Sequence, residues 1–268
     1  MKGPQVALPM YLGAPDAVQT LWTVLRQALA VAGEQPLPDS VAWPQDLHAH
    51  WLSPGLLLSQ TCGYPLTHAL RGRVQLLGCF RYAVSGSQGM DCRSVLIARD
   101  EHTRLKLEDF RDLRVAFNSA DSQSGYNALR ARVAPLAQDG AFFASALETG
   151  SHRGSVDAVR EGRADLAAID CVTWALLQIH DAPATHGLCA IGHSAAYPGL
   201  PLITSLHTPA RQVQALRDGL HGLVSTPAAA NALAQLRISG FETPDLAVYQ
   251  RCIDMERSAI NSGYPHLA

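Results

Sequence analysis

Val115-Ala-Phe-Asn-Ser-Ala-Asp-Ser-Gln-Ser-Gly-Tyr-Asn-Ala-Leu-Arg130 is the stretch that decides how the rest of the chain is read. Val115 to Phe117 is apolar and reads as the end of a buried strand. Five of the eight residues from Asn118 to Gly125 carry a small hydroxyl or an amide, and Asn127-Ala-Leu-Arg-Ala-Arg132 then favours helix. A strand that ends in hydroxyls just before a helix start gathers side-chain O–H groups and unpaired backbone N–H groups at one place. The positive end of the helix dipole lies there too, so the turn has the makings of an anion site. Ser and Asp also cap helices that bind nothing. A second polar strand-to-helix turn at Leu147-Glu-Thr-Gly-Ser-His-Arg-Gly-Ser155 favours the binding reading.

Outward from this stretch, short β-like runs alternate with helical patterns. Downstream come strands at Ala144 to Glu148, Leu166 to Ile169, Leu188 to Ile191 and Leu200 to Thr204, with helices at Ser155 to Glu161 and Cys171 to Ile179. Upstream, Gln5 to Leu8 reads as a first strand. Asp16 to Val31 is an amphipathic helix with Val18, Leu21, Trp22, Leu25 and Leu29 on one face. Val41 to Trp43, Leu56 to Leu58, Val74 to Phe80 and Ser94 to Ala98 read as further strands, with one or two helical turns at Pro65 to Leu70. Pro209 to Ser262 reads as almost purely helical. The alternation predicts a parallel-type sheet covered by helices, in two α/β units with a helical tail. Crossovers between the units are expected near Cys92 to Arg99 and Ala195 to Thr204.

The chain has 268 residues, 47% hydrophobic and 16% charged, with a net charge of −2. It is long enough for one large domain or two of about 100–150 residues. Near-neutral charge leaves no electrostatic footprint for nucleic acid or a membrane surface. No run reaches the roughly 18 apolar residues of a spanning helix. The first eleven residues are too short and interrupted for a secretion signal, so the chain as written is expected to be cytoplasmic, or periplasmic if it is a processed form. Six cysteines at irregular spacings lack a C-x-x-C or a metal-like cluster and read as small core residues. That usage leans toward a reducing compartment, although Cys79 and Cys92 could pair across a hairpin. No metal and no cofactor is expected.

Three polar clusters each follow an apolar run. They are Ser59-Gln-Thr-Cys-Gly-Tyr64, the Asn118 to Gly125 turn with Ser119, Ser122 and Ser124, and the turn with Thr149, Ser151 and His152. A fourth strand end carries a carboxylate, Asp170. In open α/β sheets, ligands bind beyond the carboxyl ends of the strands, which is where these polar groups fall.

The succession of Ser-Gln-Thr-Cys-Gly-Tyr, Val-Ala-Phe-Asn-Ser…Ser-Gly-Tyr, Gly-Ser-His-x-x-Ser, Ala-Val-x-x-Gly-x-Ala-Asp-Leu-Ala-Ala-Ile-Asp and Leu-Pro-Leu-Ile resembles the PhnD-like phosphonate-binding proteins. These are solute receptors of ABC transporters that take phosphonate, phosphate or phosphite. The resemblance runs from about Leu8 to about Leu236 and is strongest between Val115 and Asp170. It implies an α/β, two-lobed, type II periplasmic-binding-protein fold, each lobe a mixed sheet flanked by helices, with a hinge of two crossover segments. Lobe one would be residues 1–92 plus 202–268, and lobe two residues 93–201. A small oxyanion would sit in the inter-lobe cleft. Ser119, Ser122 and Ser124, with the Gly125 and Tyr126 N–H groups, would hold it. His152 would donate from the facing turn, and Asp170 would accept from a ligand hydroxyl or amine. Tyr11, Gln60, Thr61, Cys62 and Tyr64 would close from the first lobe. A monomer that delivers its ligand to a transporter permease follows from the same likeness.

Enzyme readings remain as alternatives. Ser122, His152 and Asp170 are the residue types of a hydrolase triad, but Ser85-Gly-Ser-Gln-Gly89 lacks the first glycine of a nucleophile elbow. The same fold hosts enzymes of thiamine-precursor synthesis, whose Cys-rich motif is absent here. It also hosts ligand-sensing modules, although no basic helix-turn-helix precedes residue 40. A carboxylate at Asp170 would repel a dianion, so the bound species should keep a proton or carry a cationic amine.

Overall fold

In a computed structural model, which describes residues 3–10, 13–34 and 36–268, the strands run in chain order β1 (Gln5–Ala7), β2 (Leu56–Gln60), β3 (Val74–Tyr82), β4 (Ser87–Gln88), β5 (Asp91–Cys92), β6 (Ser94–Arg99), β7 (Arg114–Phe117), β8 (Ser145–Glu148), β9 (Leu166–Asp170), β10 (Leu188–His193), β11 (Tyr197–Pro198), β12 (Pro201–Ser205) and β13 (Ile238–Glu242). The helices are α1 (Pro15–Val31), α2 (Leu47–Trp51), α3 (Gly63–Thr67), α4 (Ala128–Val133), α5 (His152–Arg160), α6 (Cys171–His180), α7 (Ala182–Thr185), α8 (Ala210–Leu223), α9 (Ala230–Gln235) and α10 (Gln250–Asn261). The chain divides into two units, residues 1–83 with 199–248 and residues 84–198 with 249–268.

The first unit is built on the sheet β1-β2-β12-β3-β13. β1 and β2 are parallel, whereas β12 and β13 pair antiparallel with their neighbours. The sheet is therefore mixed, because β12 and β13 return from the far end of the chain. α1 starts at Pro15, where a missing N–H costs nothing. Its buried face is Ala17, Val18, Leu21, Trp22, Leu25 and Leu29, the expected helical stripe. β13 departs from the all-helical tail read from sequence. Ser239 and Gly240 break the apolar run Ile238 to Phe241, and pairing with β3 supplies the order that local propensity does not. Val41 to Trp43 forms no strand; Ala42 only donates its N–H to the Val6 carbonyl at 2.7 Å.

The second unit is built on the sheet β10-β6-β9-β7-β8, with a small three-stranded sheet β11-β5-β4 beside it in sequence. β9, β7 and β8 are mutually parallel neighbours, in register at Ala116↔Ala167 and Phe117↔Glu148. β6 and β10 run antiparallel, so this sheet is mixed as well. Its core includes Phe110, Val115, Leu129, Val133, Phe142 and Leu166 together with Ala259, Tyr264 and Leu267 from the chain's end.

That last group shifts the expected lobe boundaries. Residues 249–268 belong with the second unit, and so do residues 84–92. The buried Arg130 donates to the Pro265 carbonyl at 2.7 Å and pairs with Glu256, while Asn127 Nδ2 donates to the Cys252 carbonyl at 2.8 Å. The chain accordingly passes between units three times, at 83–84, 198–199 and 248–249, instead of at two crossovers. All six cysteines are thiols, and the expected Cys79–Cys92 hairpin does not form. Cys79 faces Pro201 and Glu242 across its strand, while Cys92 faces Ser87 and Tyr197.

Candidate functional site

The parallel order β9-β7-β8 puts three carboxyl-terminal strand ends on one edge of the second unit's sheet. Asp170, the Asn118 turn and the Thr149 turn therefore converge there although they lie far apart in sequence. The β7 and β8 turns are zipped together: Thr149 N donates to the Phe117 carbonyl and Gly150 N to the Asn118 carbonyl, each at 2.9 Å. Thr149 Oγ1 also meets Ser155 Oγ at 2.7 Å.

The helix after β7 opens with a π turn, Gln123–Asn127, which leads into α4. Ser122 caps it, its Oγ accepting from Gly125 N at 3.0 Å. Ser124 Oγ lies 3.5 Å from Ser122 Oγ and 2.8 Å from His152 Nε2. Two hydroxyls and an imidazole from two different strand ends thus meet in one partly buried cluster. Gly125 is required here, because a Cβ on it would overlap Asn118 Oδ1 and come to 3.2 Å from His152 Cε1. His152 is the first residue of α5, whose cap Ser151 accepts from Gly154 N at 3.0 Å. Burial lowers the His152 pKa to about 4, so the ring is neutral at ordinary pH. Among the described residues, His152 Nδ1, Asn118 Oδ1 and Thr61 Oγ1 are buried with no hydrogen-bond partner.

Other expected residues hold different positions. Ser119 Oγ donates to Asp121 Oδ1 at 2.6 Å and shapes the turn. The Tyr126 side chain turns into the core, edge-on to Phe117 at 5.0 Å, where its hydroxyl accepts from Leu267 N. Asp170 caps α6, its Oδ1 accepting from Val172 N at 3.0 Å and Thr173 N at 2.9 Å. Burial raises its pKa despite these bonds. Arg153 is engaged by Asp157 and Asp181, as expected for a solvated helix residue.

In the first unit, Gln60 ends β2 and donates from Nε2 to Tyr82 Oη at 3.2 Å, while its carbonyl accepts from Trp51 Nε1. Thr61 N donates to the Pro201 carbonyl at 3.0 Å. Cys62 is buried at the start of α3, and Tyr64 stacks on His68 with ring centroids 3.8 Å apart. Tyr11 lies outside the described residues.

Sequence reading missed three groups at the second unit's edge. Asn118 reads as one polar residue in a run, and no local signal marks it as the contact of Gly125. Ser94 and Tyr197 were not singled out. Ser94 Oγ donates to the Ser124 carbonyl at 2.8 Å and shares a 2.9 Å hydrogen bond with Tyr197 Oη, which steadies the Ser124 turn from beneath. Their role depends on the antiparallel pairing Ser94↔Asp170, which sequence periodicity does not encode.

A family described as the ABC transporter, phosphonate, periplasmic substrate-binding protein matches residues 61–249. The chain belongs to that family. No curated protein sequence matches. Among solved structures, the chain is similar to PhnD1 from Prochlorococcus marinus in complex with methylphosphonate, at 14% identity over 97% of this chain and 98% of that one, with a TM-score of 0.76. It is also similar to a binding protein component of an ABC phosphonate transporter from Pseudomonas aeruginosa (18% identity, 97% and 88% covered, TM-score 0.75). A Xanthomonas citri protein bound to ATP is a further match (16% identity, 97% of both chains, TM-score 0.70). At these identities the likeness establishes the mixed α/β periplasmic-binding-protein fold.

The family consists of periplasmic transport receptors, not enzymes. The hydrolase alternative also fails on geometry. His152 meets Ser124, no partner among the described residues orients its Nδ1, and the Asp170 carboxylate accepts from the backbone of α6. No helix of the described residues is long and apolar enough to cross a membrane.

Proposed function

We propose that this protein captures a small oxyanion of the phosphonate–phosphate class for an ABC transporter, using the neutral donors around Ser122, Ser124, Gly125 and His152. The observation that carries this reading is the 2.8 Å contact of Ser124 Oγ with His152 Nε2, which joins two strand-end turns in one partly buried cluster. Hydroxyls, an imidazole N–H and the leading N–H groups of a helix suffice to enclose an anion, because hydrogen bonds to a charged acceptor are about twice as strong as neutral ones. The donors rotate or change tautomer at little cost: Ser124 and His152 give up a bond to each other and gain one each to the ligand. With no free guanidinium in these turns and a buried carboxylate at Asp170, the site suits a monoanion or an aminophosphonate zwitterion.

Calorimetric titration with methylphosphonate, phosphate, phosphite, an aminoalkylphosphonate and sulfate tests the reading. Ser124→Ala and His152→Ala should each weaken binding of the preferred anion by about 1–3 kcal/mol, the cost of one charge-assisted hydrogen bond. Unchanged affinity in both variants would move the site elsewhere.

A further inference from the structure

We infer that Cys92 and Cys171 form a disulfide that ties the start of α6 to the β4–β5 hairpin. Three observations locate the two thiols together, all within the second unit. The antiparallel register Ser94↔Asp170 brings Arg93, the neighbour of Cys92, to the residue that follows Asp170. Cys171 packs against the turn entering β4: a Cβ on Gly86 would lie 3.0 Å from Cys171 Cβ and 3.7 Å from its Sγ. The neighbour of Gly86, Ser87, is the cross-strand partner of Cys92, and Cys92 Sγ lies 4.0 Å from Ser87 Oγ. Both thiols are buried, at 2% and 1% exposure.

The bond forms by thiol–disulfide exchange. Each thiol loses a proton, the Sγ–Sγ bond forms, and two electrons pass to an oxidised carrier disulfide, which becomes two thiols. A periplasmic family supplies the oxidising setting for this step. Its timing follows from burial. The neighbouring Cys171 thiol and the loss of solvent push the Cys92 thiol well above its usual pKa, which leaves little thiolate in the folded chain. Exchange therefore belongs to folding, before the pair is covered.

The test is to refold the full chain in a glutathione redox buffer, denature it in excess N-ethylmaleimide, and read intact mass and a non-reduced peptide map. The expected product takes four maleimides, six cysteines less two, with one cross-linked peptide pair joining Cys92 and Cys171. A reduced control takes six. Cys92→Ser should leave Cys171 fully alkylated, a result read under denaturant and thus independent of whether the variant folds. The oxidised form should melt several degrees above the reduced one. Six maleimides after oxidative refolding, or a cross-link between any other pair, would overturn the inference.

Discussion

Gly125→Ala is the sharpest perturbation of the cluster, because two opposing effects meet at one atom. Alanine is the better helix residue by about 1 kcal/mol, so in open space the change would stabilise the turn. Here the added Cβ overlaps Asn118 Oδ1 and reaches 3.2 Å from His152 Cε1. Forcing a methyl into a packed site costs roughly 1–3 kcal/mol, and the Asn118 contact lies at the severe end because both groups sit on turns tied by backbone bonds. The net expectation is a destabilisation of about 1–2 kcal/mol, with weaker anion binding as His152 is displaced from Ser124. Asn118→Ala removes the obstacle, and its Oδ1 has no hydrogen-bond partner among the described residues, so little is lost. In that background Gly125→Ala should become neutral or stabilising by up to about 1 kcal/mol. Urea denaturation of the four proteins in this double-mutant cycle reads the coupling directly. Equal effects of Gly125→Ala in both backgrounds would refute the packing argument.

Acid sensitivity should report on His152. Its folded pKa of about 4 lies below the ordinary 6.5, so between these values the unfolded chain holds a proton that the folded chain refuses. Stability is therefore full above pH 6.5 and falls as pH drops toward 4, by roughly 2–4 kcal/mol, and His152→Gln should flatten that limb in denaturation curves taken from pH 7.5 to 4.5. Asn127→Ala should cost about 2 kcal/mol in the same assay. It removes the side-chain donor to the Cys252 carbonyl and one acceptor of Arg130, which loosens α10 from the rest of the second unit. Limited proteolysis should then release the C-terminal segment first, and intact digestion kinetics would count against this account.

Most apolar runs as strands (Val41 to Trp43 excepted), the amphipathic stripe of α1, and the hydroxyl-rich turns were legible from residues alone, because each is a local pattern of period two or 3.6 or a capping preference. Ser122 caps its turn and His152 opens α5, three residues before the helix start at Ser155 that the pattern predicts. β13 was not legible, since Ser239 and Gly240 interrupt its pattern and only pairing with β3 makes it a strand. Neither was the transfer of residues 249–268 to the second unit, which rests on the long-range bonds of Asn127 and Arg130. Sequence alone determined which turns are rich in donors. Tertiary structure decided that Ser124, not Ser122, meets His152, that Asp170 caps its own helix, and that Asn118 and Ser94 brace the cluster. Strand order and register are set by contacts between distant residues, and no local periodicity contains them.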